Sequence, residues 1–363
     1  MRNWAPIVPV LSILAFTNLS NPASAGPVDN VFVFGDSTVD TGWFRYQPLP
    51  SNPTLNSLAA ASLADGGRIP DTPYGIGAAQ VLAAYFGLSA NPADAPGGGT
   101  NYAAGGAQNN SNFINPNAPS TVSQIKTYLN GGSADPNAIY LISSGGNDIK
   151  YAQTLTGAAR LNWVTSAASV LATAILGLQN SGAQSIIVSN EYVVGTGAPG
   201  NLFTTYWTSL FSDLNVLGVN YKLADVQGLE STIFADPGLY GFTSISNVDG
   251  PGGTALMNPD PALIPNSWAY YGTTALLRPD AATSFWADDE HWAAAAQQLE
   301  GQLFIGVAIP VPGTLPLMAS GLVALGLLSR RRKPATELSS PMVRRRHSAA
   351  ATFRGDERAR LRG

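Results

Sequence analysis

Residues 30–42 read NVFVFGDSTVDTG, an unbroken apolar run that turns polar in a single step at Gly35. Val31, Phe32, Val33 and Phe34 leave no polar alternation, so the run suits a strand buried on both faces. NAIYLISSGG (137–146) and AQSIIVSN (183–190) have the same character. Helical patterns separate and follow them: GIGAAQVLAAYFGL (75–88), STVSQIKTYLNGG (120–132), RLNWVTSAASVLATAILGLQNSG (160–182) and FTTYWTSLFSDLNVLGVNY (203–221). Several close on glycine, as helix C-caps do. Strands alternating with helices predict βαβ units, a parallel sheet with helices on both faces. The Gly/Pro/Asn-rich stretches 43–73, 91–119 and 236–275 read as loops of one domain, because no repeat or composition shift marks a second.

Composition narrows the chemistry. The chain has 363 residues, 45% of them apolar and 12% charged, with no cysteine and two histidines, His291 and His347. The absence of cysteine excludes disulfides, thiolate zinc sites and a thiol nucleophile. Charge is unevenly placed: residues 330–363 hold 11 of the 19 Lys and Arg, while residues 26–329 carry seven basic against 20 acidic residues, a net of −13. An acidic body argues against nucleic acid as a partner.

The two ends read as addresses. Residues 1–25 combine Arg2, an apolar WAPIVPVLSILAF and small residues at Ala23 and Ala25, the pattern of a secretory signal peptide. Residues 310–333 run from a proline-marked start through an apolar stretch to four consecutive cations, Arg330 to Lys333. They resemble PEP-CTERM bacterial sorting signals, with Val311 where the commoner form has glutamate. A plain membrane anchor is the alternative. The resemblance implies export in a bacterium, to the periplasm, cell surface or medium, with sorting machinery and the membrane as partners. Residues 334–363 are expected to form a basic disordered tail, and residues 26–309 the folded domain.

Ligands bind open parallel sheets at the carboxyl ends of the strands. GDST (35–38) and SSGGNDI (143–149) fall there, TNYAAGGAQNN (100–110) in a neighbouring loop, and SFWADDEHWAAAAQQLEG (284–301) opens a C-terminal helix. Acyl transfer needs a nucleophile, a base, a group orienting that base, and donors for the oxyanion. Ser37, at a strand-to-helix turn, supplies a hydroxyl and a free backbone N–H. His291 is the base by elimination, since His347 lies beyond the apolar tail. Asp288, three residues before it, can orient the imidazole. Gly105 and Gly106 let backbone approach a substrate, and Asn147 offers an amide donor. Singly, each has a plain structural reading as a turn, a helix start or a packing residue; together they fill every role.

The ordered blocks VFGDSTVDTG, NYAAGGA, GGND and DxxH resemble those of the GDSL-type, or SGNH, esterases and lipases, over about residues 30–305. The resemblance implies a flavodoxin-like three-layer α/β/α sandwich with about five parallel strands. It also implies a catalytic triad of Ser37, Asp288 and His291, an oxyanion hole of Ser37, Gly106 and Asn147, and no metal or cofactor. Gly105 remains the other candidate glycine. Two positions depart from the family pattern: Thr38 replaces the usual leucine, and Trp292 follows the histidine, where it is expected to narrow the site. The absence of Gly-x-Ser-x-Gly disfavours nucleophile-elbow hydrolases.

DTG and NYAAGGA look closer to the secreted lipase-like branch, which implies carboxylic esters of lipids or shorter acyl groups as substrates. The alternatives are acyl transfer to, or deacetylation of, extracellular glycans, and a non-catalytic surface protein on the same scaffold.

Overall fold

The computed structural model describes residues 27–46, 76–190, 200–248, 280–288 and 290–309, all within one unit, Met1–Val311. The expected signal peptide, the segment 310–333 and the tail 334–363 lie outside the described residues.

Four strands, β1 (Val31–Gly35), β2 (Ile139–Ser143), β3 (Ser185–Ser189) and β4 (Lys222–Ala224), form a parallel sheet in that order. The first three match the apolar runs, and their side chains divide between two cores as the two-residue strand period requires. Phe34, Tyr140, Ile142, Ile186 and Val188 join the core on one face. Val31, Val33, Ile139, Leu141 and Ile187 join the other.

Helices cover both faces. On the first lie α2 (Thr121–Leu129), α3 (Gly146–Thr154), α4 (Ala158–Asn180) and α5 (Gly200–Val216). On the second lie α1 (Ala78–Tyr85), α6 (Val226–Ala235) and α7 (Ala294–Ala308). The result is a three-layer α/β/α sandwich, as expected. Helix α4 buries Val164, Ala168, Leu171, Ile175 and Leu178, a three-and-four spacing that lays one stripe against the core. It is apolar and long enough, by composition, to cross a membrane. Its stripe packs instead among α5 and the sheet.

The place of a further strand is taken by residues 100–104. Val33 N–H donates to Thr100 O (3.0 Å), Tyr102 N–H to Val33 O (2.8 Å) and Ala104 N–H to Gly35 O (3.2 Å). This segment lies on the free edge of β1, so the chain crosses the sheet in the order 2-1-3-4-5, the flavodoxin-like arrangement. It brings the glycine pair that follows it to the end of β1.

Three features depart from the sequence reading. Helix α5 stops at Val216, short of the expected end at Tyr221, with Val219 N–H returning to Leu214 O past Gly218, and β4 and α6 follow in a stretch to which the sequence pattern assigned no element. Strand β4 was hidden because among the described residues it pairs on one side only, is three residues long and leaves Lys222 and Leu223 exposed. Secondly, β1 passes into a turn at residues 36–39 rather than a helix. Thirdly, the C-terminal helix opens at Ala294, so the polar residues before it form a separate turn.

Candidate active site

Strand β1 ends where its backbone meets the end of β2. Asp36 N–H donates to Ser143 O at 3.2 Å, so close that a Cβ on Gly35 would lie 1.8 Å from that oxygen. Gln124 of α2 grips the same residue, accepting from Gly35 N–H (2.8 Å) and donating to Gly35 O (2.9 Å). Ser37 follows in the turn. Its neighbour Asp36 is buried, accepting from Thr38 N–H (3.1 Å) and Thr38 Oγ1 (3.0 Å) through Oδ1. The Thr38 hydroxyl also reaches Ser143 Oγ at 3.1 Å. The residue that departs from the family leucine thus anchors the turn to β2 by polar contacts.

Asp40 ties this turn to the glycine pair. Fully buried, it accepts from Gly42 N–H (2.7 Å), Trp43 N–H (2.8 Å) and Gly105 N–H (2.9 Å). Burial pushes its carboxyl up to about 6, against the pull of those three donors. Gly105 N–H is therefore occupied. Gly106 has φ +78°, and a Cβ there would lie 2.6 Å from Asn115 Cβ. The N–H groups of Ser37 and Gly106 make no hydrogen bond among the described residues.

Asn147 and Asp148 stand in the first turn of α3. Asn147 Nδ2 donates to Ala107 O (3.1 Å) and, at 3.3 Å, to Asp36 Oδ2. Asp148 accepts from Asn109 N–H (2.8 Å), and burial, with the charge of Asp36 adding to it, pushes its carboxyl up to about 7. Asn109 Nδ2 in turn donates to Ala167 O (2.9 Å) and Tyr206 Oη (2.7 Å), locking the loop after the glycines to α4 and α5.

The last block folds as a tight turn. Ala287 N–H donates to His291 O (2.7 Å) and Ala293 N–H to Phe285 O (2.7 Å), closing it at its base. At its tip Asp288 Oδ1 accepts from Glu290 N–H (2.9 Å) and His291 N–H (2.6 Å). His291 Nδ1 lies 2.9 Å from Asp288 Oδ2, and His291 Nε2 lies 2.8 Å from Ser37 Oγ. With Nδ1–H donating to Asp288, Nε2 is left to accept the Ser37 hydroxyl proton.

Asp288 is 0% and His291 6% exposed; such a buried carboxylate is tolerable because donors surround it. Burial alone would lower the His291 pKa, but the charge and hydrogen bond of Asp288, with Glu290 adding, outweigh it and push the imidazole up to about 9. A small pocket beside the imidazole is lined by Thr38, Val226, Glu290, Trp292, Gln297 and Glu300. Trp292 packs against Phe285, ring centroids 4.7 Å apart, and walls that pocket as well. Burial, with Asp36 adding, pushes the Glu300 carboxyl up to about 8.

The structure thus brings Ser37, Asp288 and His291 into one hydrogen-bonded chain and gathers Gly105, Gly106 and Asn147 around the same turn. Sequence reasoning missed the residues that hold these in place: Gln124, Asp40, Asn109 and Asp148. Asp40 and Asp148 carried a signal, as the second aspartate of DSTVDTG and the aspartate of GGND. The others are ordinary helix or loop residues until the fold juxtaposes them.

The sequence model of one family, described as GDSL-like Lipase/Acylhydrolase, matches residues 31–229. That span includes Ser37, Gly106 and Asn147 and stops before the His291 turn. No curated protein matches the chain. More than half of the sequence falls within the family match, the fold is the α/β/α sandwich such a domain has, and the chain belongs to the GDSL-like lipase/acylhydrolase family, hydrolases that act on esters.

Proposed function

We propose that the protein is an exported serine hydrolase of carboxylic esters, taking lipid or shorter acyl chains, with Ser37, His291 and Asp288 as its triad. The observation that carries this reading is the 2.8 Å approach of His291 Nε2 to Ser37 Oγ, with Asp288 2.9 Å behind the imidazole. Ser37 Oγ attacks the ester carbonyl carbon while its proton passes to His291 Nε2. The N–H groups of Ser37 and Gly106 and the Asn147 amide receive the oxyanion. Support for Gly106 over Gly105 comes from the Asp40 bond that occupies Gly105 N–H. Asn147 would exchange its longer contact, to Asp36, for the oxyanion.

The tetrahedral intermediate then collapses, the C–O bond breaks, and His291 returns the proton to the leaving alcohol. Water attacks the acyl-Ser37 ester by the same steps in reverse and frees the acid. Export rests on the signal pattern of residues 1–25, and sorting at the membrane on residues 310–333.

The test uses the full chain on p-nitrophenyl acetate, butyrate and palmitate, with fluorophosphonate labelling followed by peptide mass analysis. Turnover of at least one ester and a label on Ser37 are expected. A folded protein inert on all three esters and unlabelled defeats the reading.

The pH dependence follows from His291. The base must be neutral, and its pKa is raised from 6.5 to about 9, so kcat/KM should climb from pH 7 towards pH 9. Stability should run the other way: the part contributed by charged His291 is fully present below pH 6.5 and lost as pH rises through about 9. Asp288→Asn removes the main raising influence, so the acid limb should move to lower pH while kcat falls by about 10⁴-fold. A rate profile flat from pH 6 to 9 would contradict the assignment of His291 as base.

A further inference from the structure

The ion pair between Lys150 and Glu290 is not used by the chemistry above. Lys150 Nζ donates to both carboxylate oxygens of Glu290, at 2.6 Å and 2.7 Å. It is the one Lys or Arg pairing with a carboxylate between two described residues, in a body that has only seven basic residues. Its position is particular. Lys150 is three residues after Asn147 on α3, so both project from one side of that helix. Glu290 is next to His291, and its N–H is held by Asp288 Oδ1.

The pair therefore joins the helix carrying the oxyanion amide to the turn carrying the base, two segments 140 residues apart in the chain. The side chains are about a quarter exposed, 26% and 23%. A pair so wet contributes little to global stability, but two contacts to one carboxylate fix direction as well as distance.

We propose that Lys150 and Glu290 form a latch that holds the Asn147 helix against the His291 turn, making both positioning residues for the ester hydrolysis proposed above, on which this inference rests. The oxyanion donor and the base must meet one tetrahedral centre from different sides, and this pair is a direct side-chain tie between the two segments that carry them. A misplacement of about 1 Å in such a pair can cost roughly 10²-fold in rate. The latch also acts on the imidazole through charge. Glu290 favours the imidazolium and Lys150 opposes it. Among the described residues, the other titratable groups around this site are Asp288 on the same turn as His291, Glu300 of α7 lining the same pocket, and Asp36, beside Ser37, whose charge acts on Glu300.

Opposite charges acting on one base give the test a signature that a merely structural contact lacks. Lys150→Met should move the acid limb of kcat/KM to higher pH, and Glu290→Gln should move it to lower pH. Both should lower kcat roughly 10- to 100-fold with KM little changed. The exchange Lys150→Glu with Glu290→Lys should regain most of the lost kcat.

Equal thermal midpoints for all variants would exclude loss of folding as the cause. Unchanged kcat in both single variants, acid limbs that move in the same direction, or an exchange no better than the single variants would each overturn the latch. The chain has two histidines, so the His291 imidazole can also be titrated by NMR without turnover. Opposite shifts there support the latch even if no ester is hydrolysed, an outcome that would defeat only the hydrolase reading.

Discussion

Ser37→Ala is expected to lower kcat by about 10⁴- to 10⁶-fold while leaving the protein folded. The side chain lost is a single hydroxyl, partly buried, whose hydrogen-bonding partner is His291 Nε2 at 2.8 Å. The turn around it is held by its neighbours: Asp36 through Thr38 and Ser143, and Asp40 through Gly105. An alanine at position 37 keeps its backbone N–H, so the proposed oxyanion donors survive and a residual rate above that of water should remain. His291→Ala should cost a similar factor. The double variant should be no more than a few-fold slower than either single one, because in the proposed mechanism the nucleophile and its base act as a unit. Measured kcat values of the three variants, with far-UV and near-UV circular dichroism as controls, decide this. A double variant slowed by the product of the single effects would mean that Ser37 and His291 act in separate steps.

Gly35→Ala is expected to be the most destabilising single substitution around the site, by more than about 4 kcal/mol. Two independent causes act together. Gly35 has φ +152°, where an L side chain is strained, and its Cβ would lie 1.8 Å from Ser143 O and 3.2 Å from Val39 Cγ2. Neither side can yield cheaply. The Gly35 backbone is held on both its N–H and C=O by Gln124, and Ser143 is the end of a central strand paired on both sides. A loss of that size removes much of the 5–15 kcal/mol typical of a domain, so low soluble yield and a lowered denaturation midpoint should be seen. Gly177→Ala, in α4 with open space around its Cβ, should instead gain about 0.5–1 kcal/mol. If both variants unfold at the wild-type midpoint, the approach of β1 to Ser143 is not a tight one.

Much of the architecture was legible from hydrophobic pattern alone. VFVF, IYLI and IIV are apolar without alternation, and a strand of that kind has to be covered on both faces. The two cores on either side of β1, β2 and β3 are that requirement met. Elements that carry no such pattern were missed for definite reasons. Strand β4 has one neighbour among the described residues, and exposed side chains. Residues 100–104 pair with β1 through backbone groups, which every residue type possesses. Of the site, the residue types and their order were readable, because acyl transfer needs a hydroxyl, an imidazole, a carboxylate and small or amide donors, and a chain with two histidines leaves little choice.

By itself, then, the sequence determined a doubly covered parallel sheet and the set of side chains able to do acyl chemistry, because both follow from residue type and local spacing. The tertiary structure alone decided which of those groups meet. His291 reaches Ser37 across 254 residues of chain, Asp40 rather than a substrate takes the N–H of Gly105, and Lys150 finds Glu290. Hydrogen-bond and charge partners are set by distances of about 3 Å between remote segments, and no local periodicity encodes them.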